Sequence, residues 1–289
     1  MIEKLMEEIR NLLITGIKQN TGSAFGSFAG RAGTASNNLA QSPMDFNNEV
    51  FTMMQDISNT AVLPIAAVIL AGVLSYELLS MLASYNNAHD IDMYMLYKWT
   101  IKAFLGVIIL GNVFNIINFI FGLGAFAVTG GLRTITAIDF DGVLDNLETE
   151  LDKTTIADIG WLIAAFINSL FVGLFMMIVN IAIQLVVIHR FIIIFLKMSV
   201  APIPFATLVN KEWGTMGTNY IKSMWAVAFQ GFFMMACIAI YGALIGAMGS
   251  ASSVQEIVVK LWEMVGYGIL LVVILLKTET LSKSIFGAT

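Results

Sequence analysis

WLIAAFINSLFVGLFMMIVNIAIQLVVI, residues 161–188, decides the fold class: 28 consecutive residues without one charge. A helix needs about 20 such residues to cross a bilayer, and a soluble core helix has no reason to be apolar all round. The rest of the chain agrees with this stretch. Of its 289 residues, 58% are hydrophobic and 12% charged, and the mean hydropathy is +0.82. Soluble domains carry about 25% charged residues. These figures exclude a soluble globular enzyme and a disordered chain. The net charge of −5 argues against a broad basic surface for nucleic acid. One cysteine, Cys237, and two histidines exclude an intrachain disulfide and a Cys- or His-rich metal site.

Working outward from residues 161–188, further apolar runs cover about 61–83, 101–128, 191–209, 224–248 and 257–276. The run 191–209 is interrupted by Lys197, Pro202 and Pro204, and two prolines so close together break a helix. The reading is all-α: a polytopic integral membrane protein of about five full transmembrane helices plus one broken, re-entrant segment. Four regions follow. Residues 1–60 hold amphipathic N-terminal helices and a connector, 61–130 a first transmembrane pair, 131–160 an acidic extracytoplasmic loop, and 161–289 a C-terminal transmembrane bundle.

At the N-terminus, Ile2, Leu5, Met6, Ile9, Leu12, Leu13 and Ile17 recur at helical spacing, opposite Glu3, Lys4, Glu7, Glu8, Arg10 and Lys18. No uninterrupted apolar core of signal-peptide length is present, so the segment is expected to be retained as an interfacial or docking helix. Residues 21–48, rich in Gly, Ser, Ala and Asn, read as a loose connector. Ser42-Pro43 before Asp45 reads as a helix start.

Charge placement sets the orientation. Residues 131–160 carry seven acidic and two basic residues, which puts them outside, with the N-terminus outside and the C-terminus inside. A re-entrant fourth run keeps Lys211, Lys222, Lys277 and Lys283 inside.

Polar residues at membrane depth are the candidate functional positions. Asn112, Asn115 and Asn118 form one stripe, and Ser169, Gly173, Asn180 and Gln184 another; either they glue helices together or they line a hydrated path. Gly242 and Gly246 are a small-residue packing pair. Glu77, Arg190 and Lys197 are ionisable groups in apolar surroundings. With Pro202, Pro204, Trp213, Lys222 and Trp225 they form a candidate partner-contact region around the broken segment, with interfacial anchoring of helix ends as the plainer reading. His89 and Asp90 sit in a polar loop. Phosphate-loop, zinc-protease and serine-hydrolase motifs are absent, so no catalytic residue, metal or cofactor is expected.

Three features carry a resemblance: the order of parts, the stretch PIAAVILAGVLSYELLSMLASYNNAHDIDMYMLYKWTIKAF with Tyr76-Glu77 and His89-Asp90, and the APIPFATL turn followed by Trp213 and Trp225. In these the chain resembles the TrbL-like polytopic inner-membrane component of type IV secretion systems, in the version carried by Gram-positive conjugative elements. The resemblance implies a non-enzymatic, homo-oligomeric channel or platform subunit in membrane lipid. Its expected partners are a secretion ATPase, a coupling protein and other membrane subunits, with relaxase-bound single-stranded DNA as transient substrate. Two other readings stand beside it: a small-solute permease, and a membrane scaffold or pore former outside conjugation.

Overall fold

The computed structural model describes residues 1–83, 93–134, 141–246 and 253–288, and no strand occurs among them. The helices in chain order are α1 (Ile2–Leu39), α2 (Pro43–Phe46), α3 (Asn48–Ile57), α4 (Leu63–Ala83), α5 (Met93–Gly111), α6 (Val113–Thr134), α7 (Asp141–Asp152), α8 (Ile159–Val200), α9 (Pro202–Ala206), α10 (Gly214–Gly246) and α11 (Val254–Phe286). A π-helical turn, Ser58–Val62, joins α3 to α4. Six segments are long and apolar enough to cross a membrane. They are Asn48–Ala83, Met93–Gly111, Val113–Leu132, Ile156–Val200, Gly214–Ile245 and Gln255–Phe286.

The runs divide differently from the reading above. Residues 101–128 are not one uninterrupted helix, because Asn112 separates α5 from α6. There the Asn112 N–H bonds Ile109 O at 3.1 Å, one step short of the α-helical pattern, while Asn112 Nδ2 takes Ile108 O at 2.9 Å. Conversely, most of the run 191–209 continues the run before it, since α8 is a single helix of 42 residues ending at Val200. The proline break falls where expected, but it follows a full helix. The glycine- and serine-rich residues 21–39 are not a loose connector; they complete α1. Ala24, Phe25, Phe28, Ala32, Ala35 and Leu39 are buried at helical spacing, and this burial offsets the low helix propensity of the intervening glycines. The expected start at Ser42 is present, with Pro43 in the first turn and the Asp45 N–H donated to Ser42 Oγ at 3.2 Å. Asn47 caps α3 in the same way, through Val50 N–H at 3.0 Å.

The chain forms two compact units. The first comprises 1–40, 128–188 and 232–278, and the second 41–127, 189–231 and 279–289. In the first, Phe28 packs on Tyr241 with ring centres 4.7 Å apart, and Tyr241 donates to Met264 O. In the second, α9 packs against α4 and α5, with Pro202, Pro204, Phe205 and Ala206 all buried. Phe46 stacks on Phe191 at 3.7 Å.

Candidate functional site

The first unit holds a cleft of mixed polar and apolar lining between α1 and α8. Gly16 lies against the Phe166 ring, Asn20 Nδ2 donates to Ser169 Oγ at 3.0 Å, and Gln184 Nε2 donates to Arg31 O at 3.4 Å. The order 16–20–31 on α1 matches 166–169–184 on α8, so the two helices run parallel. Between the two side-chain bonds they part around a cleft of about 430 Å³. Ser23, Ser27 and Arg31 line it from α1, and Gly173 and Asn180 from α8, where Leu170, Met177 and Ile181 complete the wall. Gly173 has open space where a Cβ would stand. Asn180 is 3% exposed, and its Oδ1 has no hydrogen-bond partner among the described residues. The stripe Ser169–Gln184 therefore binds helices at its ends and lines a gap in its middle.

Next to α1 in the same unit, the acidic helix α7 buries Leu147 and Leu151 and turns its charge toward α1. Lys18 Nζ lies 2.9 Å from Asp152 and 3.5 Å from Glu148. Arg10 donates to Asp152 O and Thr154 O. Burial pulls the Lys18 amine down, but the hydrogen bond and attraction of Asp152, together with the charge of Glu148, outweigh this and hold it above its ordinary value.

The second unit gathers the ionisable groups. Glu77, 8% exposed, pairs with Lys102 across the α4–α5 pair and accepts from Asn210 Nδ2 at 2.8 Å. Asn210 Oδ1 in turn takes the N–H groups of Glu212 and Trp213, at 2.8 and 3.1 Å. Tyr76 donates to Glu212 at 3.0 Å. The Tyr76-Glu77 pair thus holds the segment after α9 to the end of α4. Trp213 and Lys222 are exposed, and Trp225 is half-buried beside Phe229. Lys197 bonds Ser223 Oγ, and its backbone carbonyl accepts from Tyr220 OH at 2.6 Å.

Arg190 is 4% exposed. Its Nη2 reaches Val227 O and Ala228 O at 3.4 and 3.3 Å, Phe191 lies under the guanidinium, and Nε and Nη1 have no partner among the described residues. Gly124 faces the same Ala228 carbonyl: a Cβ there would stand 2.5 Å from its oxygen.

Asn112 and Asn115 bond each other at 3.1 Å rather than a neighbouring helix. They line a 120 Å³ pocket with Gln55, Asn59 and Pro202, where the π-turn, the Asn112 break and the proline break meet. Asn118 is half-buried, with its Oδ1 unpartnered among the described residues. Gly242 is buried near the end of α10 and Gly246 is its last residue. His89 and Asp90 lie outside the described residues.

Sequence reasoning missed Lys102, Asn210, Gln55, Asn59, Asn20 and Arg31. Each owes its place to a partner distant in sequence, and only the mixed polar and apolar makeup of their surroundings hinted at them. Neither a curated protein nor a solved structure matches the chain. A family model described as "TrbL/VirB6 plasmid conjugal transfer like protein" matches residues 29–202, more than half of the chain and every helix from the end of α1 to the proline break; this all-α polytopic membrane protein therefore belongs to the TrbL/VirB6 conjugal transfer family.

Proposed function

We propose that this protein is a non-enzymatic channel or platform subunit of a conjugative type IV secretion machine, set in the cytoplasmic membrane and assisting passage of relaxase-bound single-stranded DNA. The family match over residues 29–202 carries this reading. Six apolar helices, and clefts into which amides and hydroxyls project, support it. The subunit assembles with further copies of itself, and a secretion ATPase and a coupling protein supply energy and substrate.

With α5 and α6 counted as one crossing bent at Asn112, five crossings leave the N-terminus and α7 outside and the C-terminus inside. The Lys18–Asp152 pair supports placing the first turns of α1 on the side of the acidic helix. A single helix α8, in place of one span plus a re-entrant segment, leaves the sidedness of Lys211, Lys222, Lys277 and Lys283 unchanged.

Deleting the gene from a conjugative donor tests the role. Transfer is expected to fall to background with growth unaffected, and to return with the gene supplied in trans. Normal transfer from the deletion strain rejects the proposal.

A further inference from the structure

The outward face of α1 and that of α8 differ in kind although they lie side by side. Along the stretch of α8 that pairs with α1, the exposed positions outside the cleft include Ile167, Phe171, Leu174, Phe175 and Ile178. These suit hydrocarbon. On α1 the exposed positions include Ser23, Gly26, Ser27, Gly30, Arg31 and Thr34, and an added Cβ meets nothing within 4 Å at Gly22, Gly26, Gly30 or Gly33. Hydrocarbon contact would strand the Arg31 guanidinium, and the Ser23 and Ser27 hydroxyls, in a medium that cannot solvate them, although Thr34 donates to Gly30 O.

An independent observation points the same way. The buried Asn180 carboxamide borders the cleft beside this face, with an oxygen that no group in the described residues satisfies. A buried amide oxygen without a donor is costly, and water is the smallest donor that fits. The cleft of about 430 Å³ has room for several waters, each of which occupies roughly 30 Å³ in the liquid.

We infer that the α1–α8 cleft and the glycine–serine face of α1 form a water-filled path alongside the apolar stretch of α8. Water there satisfies Asn180 Oδ1, Ser23 and Ser27 and keeps Arg31 solvated, while the opposite face of α1 seals against the bundle through Phe25, Phe28 and Ala32. The inference deepens the channel reading by locating where water meets the protein at the depth of α8. It does not depend on which cargo moves, so its failure leaves the deletion test above untouched.

Cysteine accessibility decides it. In a Cys237→Ala background, single substitutions Ser23→Cys, Ser27→Cys and Gly26→Cys are made in the full chain, in donor membranes carrying the whole transfer machine. Leu174→Cys on α8 and the inward-facing Ala32→Cys serve as controls. The probe is a charged, membrane-impermeant methanethiosulfonate, which reacts with the thiolate and so needs water at the site. Positions 23, 26 and 27 are expected to react at least about tenfold faster than position 174, which has no water to ionise its thiol. Rates at 23, 26 and 27 no faster than at 174 and 32 overturn the proposal. So does oxidative cross-linking between two copies of the Ser27→Cys variant together with protection from the reagent, which would make this face a helix–helix contact. Three independent positions, one of them a glycine with open space above it, guard against loss of any single variant to misfolding.

Discussion

Glu77 and Arg190 show two outcomes for a charge inside an apolar bundle. Glu77 has a cation and an amide, so its burial is compensated from two directions. Removing one member of such a pair leaves the other buried and unpaired, which is worse than having neither. Lys102→Ala is therefore expected to destabilise the detergent-solubilised protein by about 3 kcal/mol, whereas Glu77→Leu with Lys102→Met recovers most of that loss; thermal unfolding of the three variants checks this. A double variant no more stable than Lys102→Ala would mean that Asn210, not Lys102, balances Glu77. Arg190 has only two long carbonyl contacts and a ring beneath it. Arg190→Met keeps the length and apolar body of the side chain, and is expected to leave stability equal or higher. If transfer nevertheless falls while the protein still accumulates, the guanidinium serves function rather than fold. Glu77, Arg190 and Asn180 could be singled out in the sequence because polar groups stand out in apolar runs. Their surroundings could not be read: Glu77 meets Lys102 25 residues away and Asn210 133 residues away, and both partners lie beyond α4, where no periodicity within that helix reaches.

Two docking contacts test how the elements meet. Between α9 and α10, Gly217 faces Pro204 O and Leu208, and a Cβ would stand 2.6 Å from each. Gly217→Ala should cost about 1–3 kcal/mol through overpacking, because the near neighbour is backbone and cannot rotate away; a variant that melts with the wild type would show that the turn after α9 yields freely. Between α1 and α7 the contact is electrostatic and partly exposed, so it contributes less than about 1 kcal/mol. The Lys18 amine has a folded pKa raised above 10.5. Its contribution is therefore complete below that value and is lost only as pH rises through the folded pKa. From this amine no change in α1–α7 docking is expected between pH 7 and 9, with loosening above pH 10.5, which limited proteolysis after α7 would report. The sequence made Ser42-Pro43 legible as a helix start because capping is local. It hid the second half of α1, whose buried stripe of alanines and phenylalanines is diluted by glycine, and it hid the break at Asn112, where apolar residues continue on both sides.

For the whole molecule, composition alone was enough to place the chain in a membrane, but not to divide its helices. Sidedness is the property on which the rest turns, and the first turn of α10 reports it. Thr215→Cys is expected to stay unlabelled by an impermeant maleimide in intact cells and to react once the membrane is opened; labelling in intact cells would reverse the orientation of α8, α10 and α11 together. The parallel pairing of α1 with α8 also bears on biosynthesis. Helix α1 is not among the segments apolar enough to enter a bilayer unaided, and its anchor Ser169 is made 149 residues after Asn20. At roughly 5–20 residues per second, the ribosome needs about 7–30 s to cover that distance. Helix α1 must therefore wait at the membrane surface until α8 is made, so a nascent chain arrested before α8 would expose α1 to a protease that the finished protein resists.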